Sequence, residues 1–268
     1  MELVQIIVLA IVQGLTEFLP VSSSAHLILF PHLVGWDDQG LAFDVAVHLG
    51  TLAAVVWYFR QEVFGMTRDW FTSLGRRERV GDSRLAWAVI LGTIPVGIAG
   101  LLFKGFIEVH MRSPLVIAWA TIGFGVVLFI ADRSTLTFRR IDHMTFAAGF
   151  FIGLSQVLAL IPGTSRSGIT MTAARALGFE RVEAARFSLL LAIPAILGAG
   201  SLAGYDLYES GNMQLGLEAL VGAALSFGVA LLAIVLMIGW LRRASFTPFV
   251  IYRIVLGSVL LWWVYGTP

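Results

Sequence analysis

The stretch Glu17-Phe-Leu-Pro-Val-Ser-Ser-Ser-Ala-His26 decides the fold, because it sets an acid, three hydroxyls and an imidazole inside otherwise lipid-soluble sequence. A second stretch, Pro162-Gly-Thr-Ser-Arg-Ser-Gly-Ile-Thr170, has the same character. Each is a short, polar, proline-bearing break between two apolar runs. Such groups are expensive to bury in a bilayer and mark function when they occur together.

Working outward, the chain has 268 residues, of which 58% are hydrophobic and 13% charged, and its mean hydropathy is +0.86. These values describe an integral membrane protein rather than a soluble one. Several runs reach the roughly 20 apolar residues that cross about 30 Å of hydrocarbon as a helix. The alternation of a membrane barrel is absent. There is no cysteine, which excludes a disulfide, a thiolate metal site and a cysteine nucleophile. Met1 to Ala10 lacks the basic flank of a cleavable signal, so the first helix is expected to be retained.

Apolar segments cover residues 3–19, 25–36, 42–59, 85–103 and 115–131. After a polar loop they cover 144–161, 169–177, 187–202, 217–241 and 249–265. In each set the second segment is too short to span and follows a break. The pattern reads as an internal repeat, with halves of approximately 1–131 and 144–265 in one integral membrane domain, 1–268. If the first two segments of each half form a re-entrant hairpin, each half keeps three spans. An odd number inverts the second half. The expected fold is therefore an all-α polytopic membrane protein with an inverted-topology repeat, about six transmembrane helices and two re-entrant helical hairpins.

Charge sets the orientation. Fourteen arginines (Arg60, Arg68, Arg76, Arg77, Arg79, Arg84, Arg133, Arg139, Arg140, Arg175, Arg181, Arg186, Arg242 and Arg243) fall on one side. The other side holds Lys104 and Arg112 with the acidic pairs Asp37-Asp38 and Asp206 to Glu209. The basic side is expected to be cytoplasmic and both termini outside. Arg253, early in the last span, is expected to snorkel to the cytoplasmic interface. Arg166 lies within the second break, where it needs a carboxylate, a phosphate or water.

Placed face to face, inverted halves bring the tips of both breaks together near the midplane, where unwound backbone is tolerated only if it lines a cavity. Short helices starting near Ser22 to Ser24 and Ser165 to Ser167 would present free N–H groups and positive dipole ends, which attract an anion, phosphate above all. Arg166 adds a bidentate clamp, and Ser165, Ser167 and Thr170 add donors. The first break holds candidates for base, nucleophile and metal ligand: Glu17, Ser22, Ser23, Ser24 and His26. Ser23 and His26, three apart, can share a helix face. Glu17 can orient His26 or bind a divalent ion, and Gln13, four residues earlier, can add a ligand. Asp44 and His48 form a further i, i+4 pair.

Bland roles compete for each residue taken singly. Serine and threonine before a helix are usually caps. A lone histidine commonly packs between helices, and Glu17 with Arg166 could be a structural ion pair. Gln156 reads as a helix–helix hydrogen-bond partner, and Glu180, Glu183 and Arg186 as solvated charges. The joint occurrence in the apolar zone favours function.

The motifs Gln13-Gly-Leu-Thr-Glu-Phe-Leu-Pro-Val-Ser-Ser-Ser-Ala-His26 and Pro162-Gly-Thr-Ser-Arg-Ser-Gly-Ile-Thr170 resemble the undecaprenyl-diphosphatase family, also called the bacitracin-resistance family. The likeness continues through Phe43-Asp-Val-Ala-Val-His-Leu-Gly50 and over the whole chain in length and segment order. The resemblance implies a phosphatase that hydrolyses undecaprenyl diphosphate to undecaprenyl phosphate and inorganic phosphate in the bacterial cytoplasmic (inner) membrane. That reaction recycles the lipid carrier for peptidoglycan synthesis and confers bacitracin resistance. The family's acidic motif falls on Gln13 and Glu17, its serine and histidine motif on Ser22, Ser23, Ser24 and His26, and its arginine motif on Ser165, Arg166, Ser167 and Thr170. A divalent cation, Mg2+ or Ca2+, is implied, with Glu17 as its candidate ligand.

The resulting expectation has Ser23 as nucleophile, His26 and Glu17 activating or orienting it, and Arg166 holding phosphate. A variant with His26 as nucleophile and Ser23 as phosphate ligand stands beside it. Ser22, Ser24, Ser165, Ser167, Thr170 and Gln13 would bind substrate, in a site opening to the outer leaflet. The partners are a polyprenyl diphosphate lipid and the bilayer, with no nucleic acid; a homo-oligomer stays open. The competing reading is a transporter or lipid flippase, since inverted repeats with broken helices are also a carrier architecture.

Overall fold

Long apolar runs cannot hydrogen-bond their backbone to lipid, so they fold as helices that satisfy it internally. The computed structural model describes residues 2–37, 39–134, 138–209 and 216–266. Asp38, counted above among the acidic residues, lies outside them. In chain order the helices are α1 (Leu3–Thr16), α2 (Ser23–Val34), α3 (Leu41–Tyr58), α4 (Arg60–Arg76), α5 (Ser83–His110), α6 (Pro114–Ser134), α7 (Phe146–Ser155), α8 (Arg166–Ala176), α9 (Arg181–Glu209), α10 (Leu217–Leu241) and α11 (Thr247–Gly266). Six of them, α3, α5, α6, α9, α10 and α11, are long and apolar enough to cross a membrane. This is the polytopic all-α architecture expected from the sequence.

The remaining apolar helices are short. At 1.5 Å per residue α1 reaches about 21 Å and α2 about 18 Å, well under the hydrocarbon thickness of about 30 Å. α1 with α2 and α7 with α8 are therefore hairpins, each broken at its tip by one of the two polar stretches. The first arms lie on exchanged partners, α1 against α10 and α7 against α5, while α8 also packs between α6 and α9. The helices also pair as α3 with α10, α3 with α9 and α6 with α11. Missing side chains make two of these seams close. A Cβ on Gly153 of α7 would sit 2.1 Å from the Gly92 carbonyl oxygen of α5, and one on Gly50 of α3 would sit 2.2 Å from that of Ala223 in α10. Membrane helices approach this closely only through small residues.

The basic segments gather at one end of the bundle. Asp132, at the end of α6 and 4% exposed, accepts from Arg175 Nε at 3.0 Å, Arg181 Nε at 2.8 Å and the Phe246 N–H at 3.3 Å. Arg186 donates to Glu62 at 2.9 Å and to Glu183 at 3.1 Å, while Glu183 accepts the Ile141 N–H at 3.0 Å. Glu183 is buried, which corrects the expectation that it and Arg186 are simply solvated: both tie α9 to its neighbours. Residues 60–76, between the third and fourth apolar segments, are the helix α4. At the opposite end Lys104 pairs with Asp206 at 2.5 Å. Phe18 of the first break joins a buried core with Phe59, Phe187, Leu190 and Ile238, among others.

Candidate active site

Both breaks use the same backbone device. Ser22, the N-cap of α2, has φ 76° and ψ 91°; Ser165, the N-cap of α8, has φ 72° and ψ 116°. Residues other than glycine rarely hold positive φ, and when they do the cost is of order 1–3 kcal/mol, offset elsewhere and concentrated at functional sites. The hydroxyls repeat the correspondence. Ser22 and Ser24 Oγ lie 3.3 Å apart, Ser165 and Ser167 Oγ 3.1 Å apart. Ser165 caps α8 by accepting the Gly168 N–H, whereas α2 has no side-chain cap. The orphan N–H groups of an α-helix's first turn thus stay available at α2.

Glu17 is the centre of the site. It lies just past α1 and is 7% exposed. Its Oε2 accepts from Ser23 Oγ at 2.6 Å and from Gln13 Nε2 at 3.1 Å. Its Oε1 accepts from Arg166 Nη2 at 3.3 Å, across the two breaks. His48 Nε2 stands 3.8 Å from Oε2. A serine hydroxyl bonded to a buried carboxylate can pass its proton to that carboxylate, and a guanidinium beside the pair sets a fixed positive charge next to the hydroxyl.

The second break is braced from α9. Arg166 Nη1 donates to the Ser188 carbonyl at 3.4 Å, and Thr170 Oγ1 lies 2.7 Å from Ser188 Oγ. Ser167 Oγ reaches across to the Leu19 carbonyl at 2.9 Å, joining the two tips directly. Gln13 Oε1 and Thr164 Oγ1, one beside each break, are buried without a hydrogen-bond partner. Each has the capacity to accept a further hydrogen bond or, for the Gln13 oxygen, to ligate a hard cation.

The structure brings Gln13, Glu17, Ser23 and Arg166 together and leaves His26 apart. His26 Nδ1 donates to the Ser22 carbonyl at 2.7 Å, and its Nε2 lies 2.5 Å from Tyr252 Oη. Its ring stacks on that of Tyr252 with centroids 5.7 Å apart. Both nitrogens are engaged away from Ser23, so the hydroxyl's partner is Glu17 rather than the imidazole expected to share its helix face. Of the second pair, His48 reaches Glu17, while the Asp44 carboxylate bonds Gln39 Nε2 at 2.8 Å. Gln156 Nε2 donates to the Gly92 carbonyl at 3.1 Å, the helix–helix role expected of it.

Arg253 is the residue that sequence reasoning misplaced. It does not snorkel: it is fully buried. Its Nε donates to the Thr121 carbonyl at 3.0 Å, Nη1 to Pro20 at 3.2 Å, and Nη2 to Gly163 at 2.9 Å and Ala120 at 3.5 Å. Pro20 belongs to the first break and Gly163 to the second, so one guanidinium from α11 pins both tips to α6. Unwound breaks expose carbonyls that lipid cannot satisfy, and a five-donor fork satisfies several at once. The sequence signal was there: an arginine seven residues into an apolar helix has few cheap roles.

The donors around Glu17 fit a hard divalent cation, which takes oxygen ligands. They are the Glu17 carboxylate, the orphan Gln13 Oε1 and Ser23 Oγ. Among the described residues no group of three or more His, Cys, Asp or Glu is arranged to hold a metal, so such an ion would draw further ligands from substrate oxygens or water.

Comparison with known proteins places the whole chain in a family. The model of the bacitracin resistance protein BacA family matches residues 6–259. Undecaprenyl-diphosphatase 2 of Stutzerimonas stutzeri (strain A1501) is 68% identical over 265 residues, covering 97% of this chain and 98% of the relative. Undecaprenyl-diphosphatases of Alteromonas mediterranea and Campylobacter curvus are 54% and 53% identical over 266 and 261 residues, covering 99% and 97% of this chain and 100% and 98% of theirs. With a family match over nearly its whole length and relatives more than half identical end to end, the chain belongs to the bacitracin resistance protein BacA family.

Proposed function

We propose that this chain is a membrane phosphatase that hydrolyses undecaprenyl diphosphate to undecaprenyl phosphate and inorganic phosphate, recycling the cell-wall lipid carrier and conferring bacitracin resistance. The observation that carries the reading is the 2.6 Å hydrogen bond from Ser23 Oγ to Glu17, with Arg166 on the other carboxylate oxygen. The terminal phosphate is held by Arg166, the Ser165, Ser167 and Thr170 hydroxyls and the free N–H groups opening α2, with Ser22 and Ser24 beside them.

Ser23 Oγ attacks the terminal phosphorus in line with the bridging oxygen, and its proton passes to Glu17. The bond from phosphorus to the bridging oxygen breaks, and undecaprenyl phosphate leaves. Water then attacks the phosphoserine, phosphate departs, and the proton held on Glu17 returns to Ser23 Oγ. Catalysis in such a site is chiefly positioning and charge stabilisation. The bonding of Glu17 to Ser23, and of His26 to Tyr252, favours serine over histidine as nucleophile. A divalent cation, Mg2+ or Ca2+, would be held by Glu17 and Gln13 Oε1 and would supply charge neutralisation to the diphosphate.

The repeat halves, approximately 1–131 and 144–265, are inverted copies whose hairpin tips form the site jointly. Exchanged seating of α1 on α10 and α7 on α5, and the matching Ser22 and Ser165 angles, support that division. The arginine-rich end faces the cytoplasm and both termini lie outside, so the diphosphate arrives from the outer leaflet. A flippase on the same scaffold would need no serine bonded to a carboxylate. Phosphate release from undecaprenyl diphosphate in detergent, where transport is undefined, separates the two. Arg166→Ala is expected to lose about a hundredfold or more of that activity. Wild-type turnover in this variant would remove the clamp from the mechanism.

A further inference from the structure

Helix α4 has no part in the site, yet its surface is specific. Its inward side is mixed and anchored: Met66, Asp69 and Ser73 are buried, Val63 and Trp70 pack on the core, Asp69 Oδ2 accepts the Asp82 N–H at 3.0 Å, Glu62 pairs with Arg186, and Trp70 meets Trp87 edge-on. These contacts reach α9 from one end of the helix and the start of α5 from its middle, so α4 lies along the basic end of the bundle. Its outward side is apolar. Phe64 is 72% exposed, Phe71 61% and Leu74 47%. Spacings of seven and three put them on one stripe of the helix.

Arginines border that stripe. Arg68 and Arg76 have side chains 68% and 67% exposed, and the Arg60 guanidinium sits 5.4 Å from the ring centroid of exposed Trp57 at the end of α3. Of the neighbouring acids, Glu62 is taken by Arg186 and Asp69 by Arg68 and the Asp82 amide, while exposed Glu78 stands 4.0 Å from Arg76. What α4 offers outward is thus aromatic surface with positive charge at its edges. A helix facing only water would not leave two phenylalanines out, and one crossing hydrocarbon would not carry these arginines. The combination suits the boundary between headgroups and acyl chains.

We propose that α4 is an interfacial anchor that docks on anionic phospholipid, with Phe64, Phe71 and Leu74 entering the acyl boundary and Arg60, Arg68 and Arg76 taking headgroup phosphates. Charge complementarity selects the occupant: the exposed arginines prefer a lipid with net negative charge to a zwitterionic one. The surface lies apart from Glu17, Ser23 and Arg166, and the inference stands whether or not the chain is a phosphatase.

The chain has no cysteine, so one label can be placed cleanly. Phe71→Cys carries an environment-sensitive fluorophore in the full-length protein, reconstituted in phosphatidylcholine vesicles with or without phosphatidylglycerol. Brominated phosphatidylglycerol is expected to quench the label more than brominated phosphatidylcholine at equal mole fraction. Arg68→Gln should lower that preference about fivefold, the worth of one arginine near such a surface. Equal quenching by both lipids would overturn the anionic preference, and quenching by neither would overturn the anchor. Short label-to-label distances without lipid quenching would assign the stripe to a second copy of the chain instead.

Discussion

Ser22 and Ser165 hold the same unusual backbone angle, φ 76° and 72°, each as the N-cap of a short helix that begins at the tip of a membrane hairpin. The two are 143 positions apart in the chain, the difference of their numbers, yet Ser167 Oγ and the Leu19 carbonyl join their loops. Positive φ turns the chain sharply at the start of both helices. Ser22→Gly relieves this strain and should leave thermal stability in detergent within about 1 kcal/mol of the parent. Ser22→Val, β-branched at the same angle, should cost about 2 kcal/mol or more. Equal unfolding temperatures for the two variants would show that the angle is not held in the folded protein.

Arg253 should matter for stability and turnover together, because it pins both breaks. Arg253→Met keeps bulk but removes a donor from four carbonyls; Gly163 keeps Thr121 Oγ1, whereas Pro20 in the first break loses its side-chain donor, and a buried acceptor left unpaired costs about 1–3 kcal/mol. A loss of about 1–3 kcal/mol is expected, with Arg253→Lys between it and the parent. Gly168→Ala presses the same guanidinium from outside, since its Cβ would meet Nη1 at 2.9 Å. Thermal unfolding paired with phosphate release reads both effects.

Asp132 anchors the basic end by accepting from Arg175, Arg181 and the Phe246 N–H. Removing one member of a buried ion pair leaves an uncompensated charge, so Asp132→Ala should destabilise by about 3–5 kcal/mol. Arg181→Ala should cost about 1 kcal/mol or less, since Arg181 is a third exposed and Arg175 remains with Asp132. Equal losses would place the energy in the exposed pair.

The turn between α4 and α5 carries its own pH dependence. The Asp82 N–H and then Arg68 hold the Asp69 carboxyl below its ordinary value. A carboxyl with a depressed folded pKa contributes stability above its unfolded pKa, about 3.9, and loses it as pH falls through the lower folded value. Hydrogen exchange at the Asp82 amide should therefore speed up, after correction for the intrinsic rate, as pH falls from about 3.9 through the lower folded value, and be unchanged by this group above it. Asp69→Asn should flatten the profile.

Much of this was legible in the residues. The lengths of runs 25–36 and 169–177 announced hairpins, because fewer than about 20 apolar residues do not span, and α2 and α8 lie there. Arg166 needed a partner at depth, and Glu17 supplies it. What escaped were relationships that depend on which way a helix faces once packed. Arg253 looked close enough to an interface to snorkel, and only the packing of α11 on α6 turns it inward onto the breaks. Ser23 and His26 are three apart, but the turn at Ser22 gives Ser23 to Glu17 and His26 to Tyr252. Helix α4 was hidden because its apolar stripe is narrow and its overall composition polar.

The central claim, that Ser23 and Glu17 act as one nucleophile and base, is tested most directly by a double-variant cycle on phosphate release from undecaprenyl diphosphate. Ser23→Ala and Glu17→Gln should each lower turnover by about a hundredfold to ten-thousandfold. The double variant should be no slower than the worse single one to within a few-fold. Losses that multiply instead would mean that the two residues act independently, and would contradict the account.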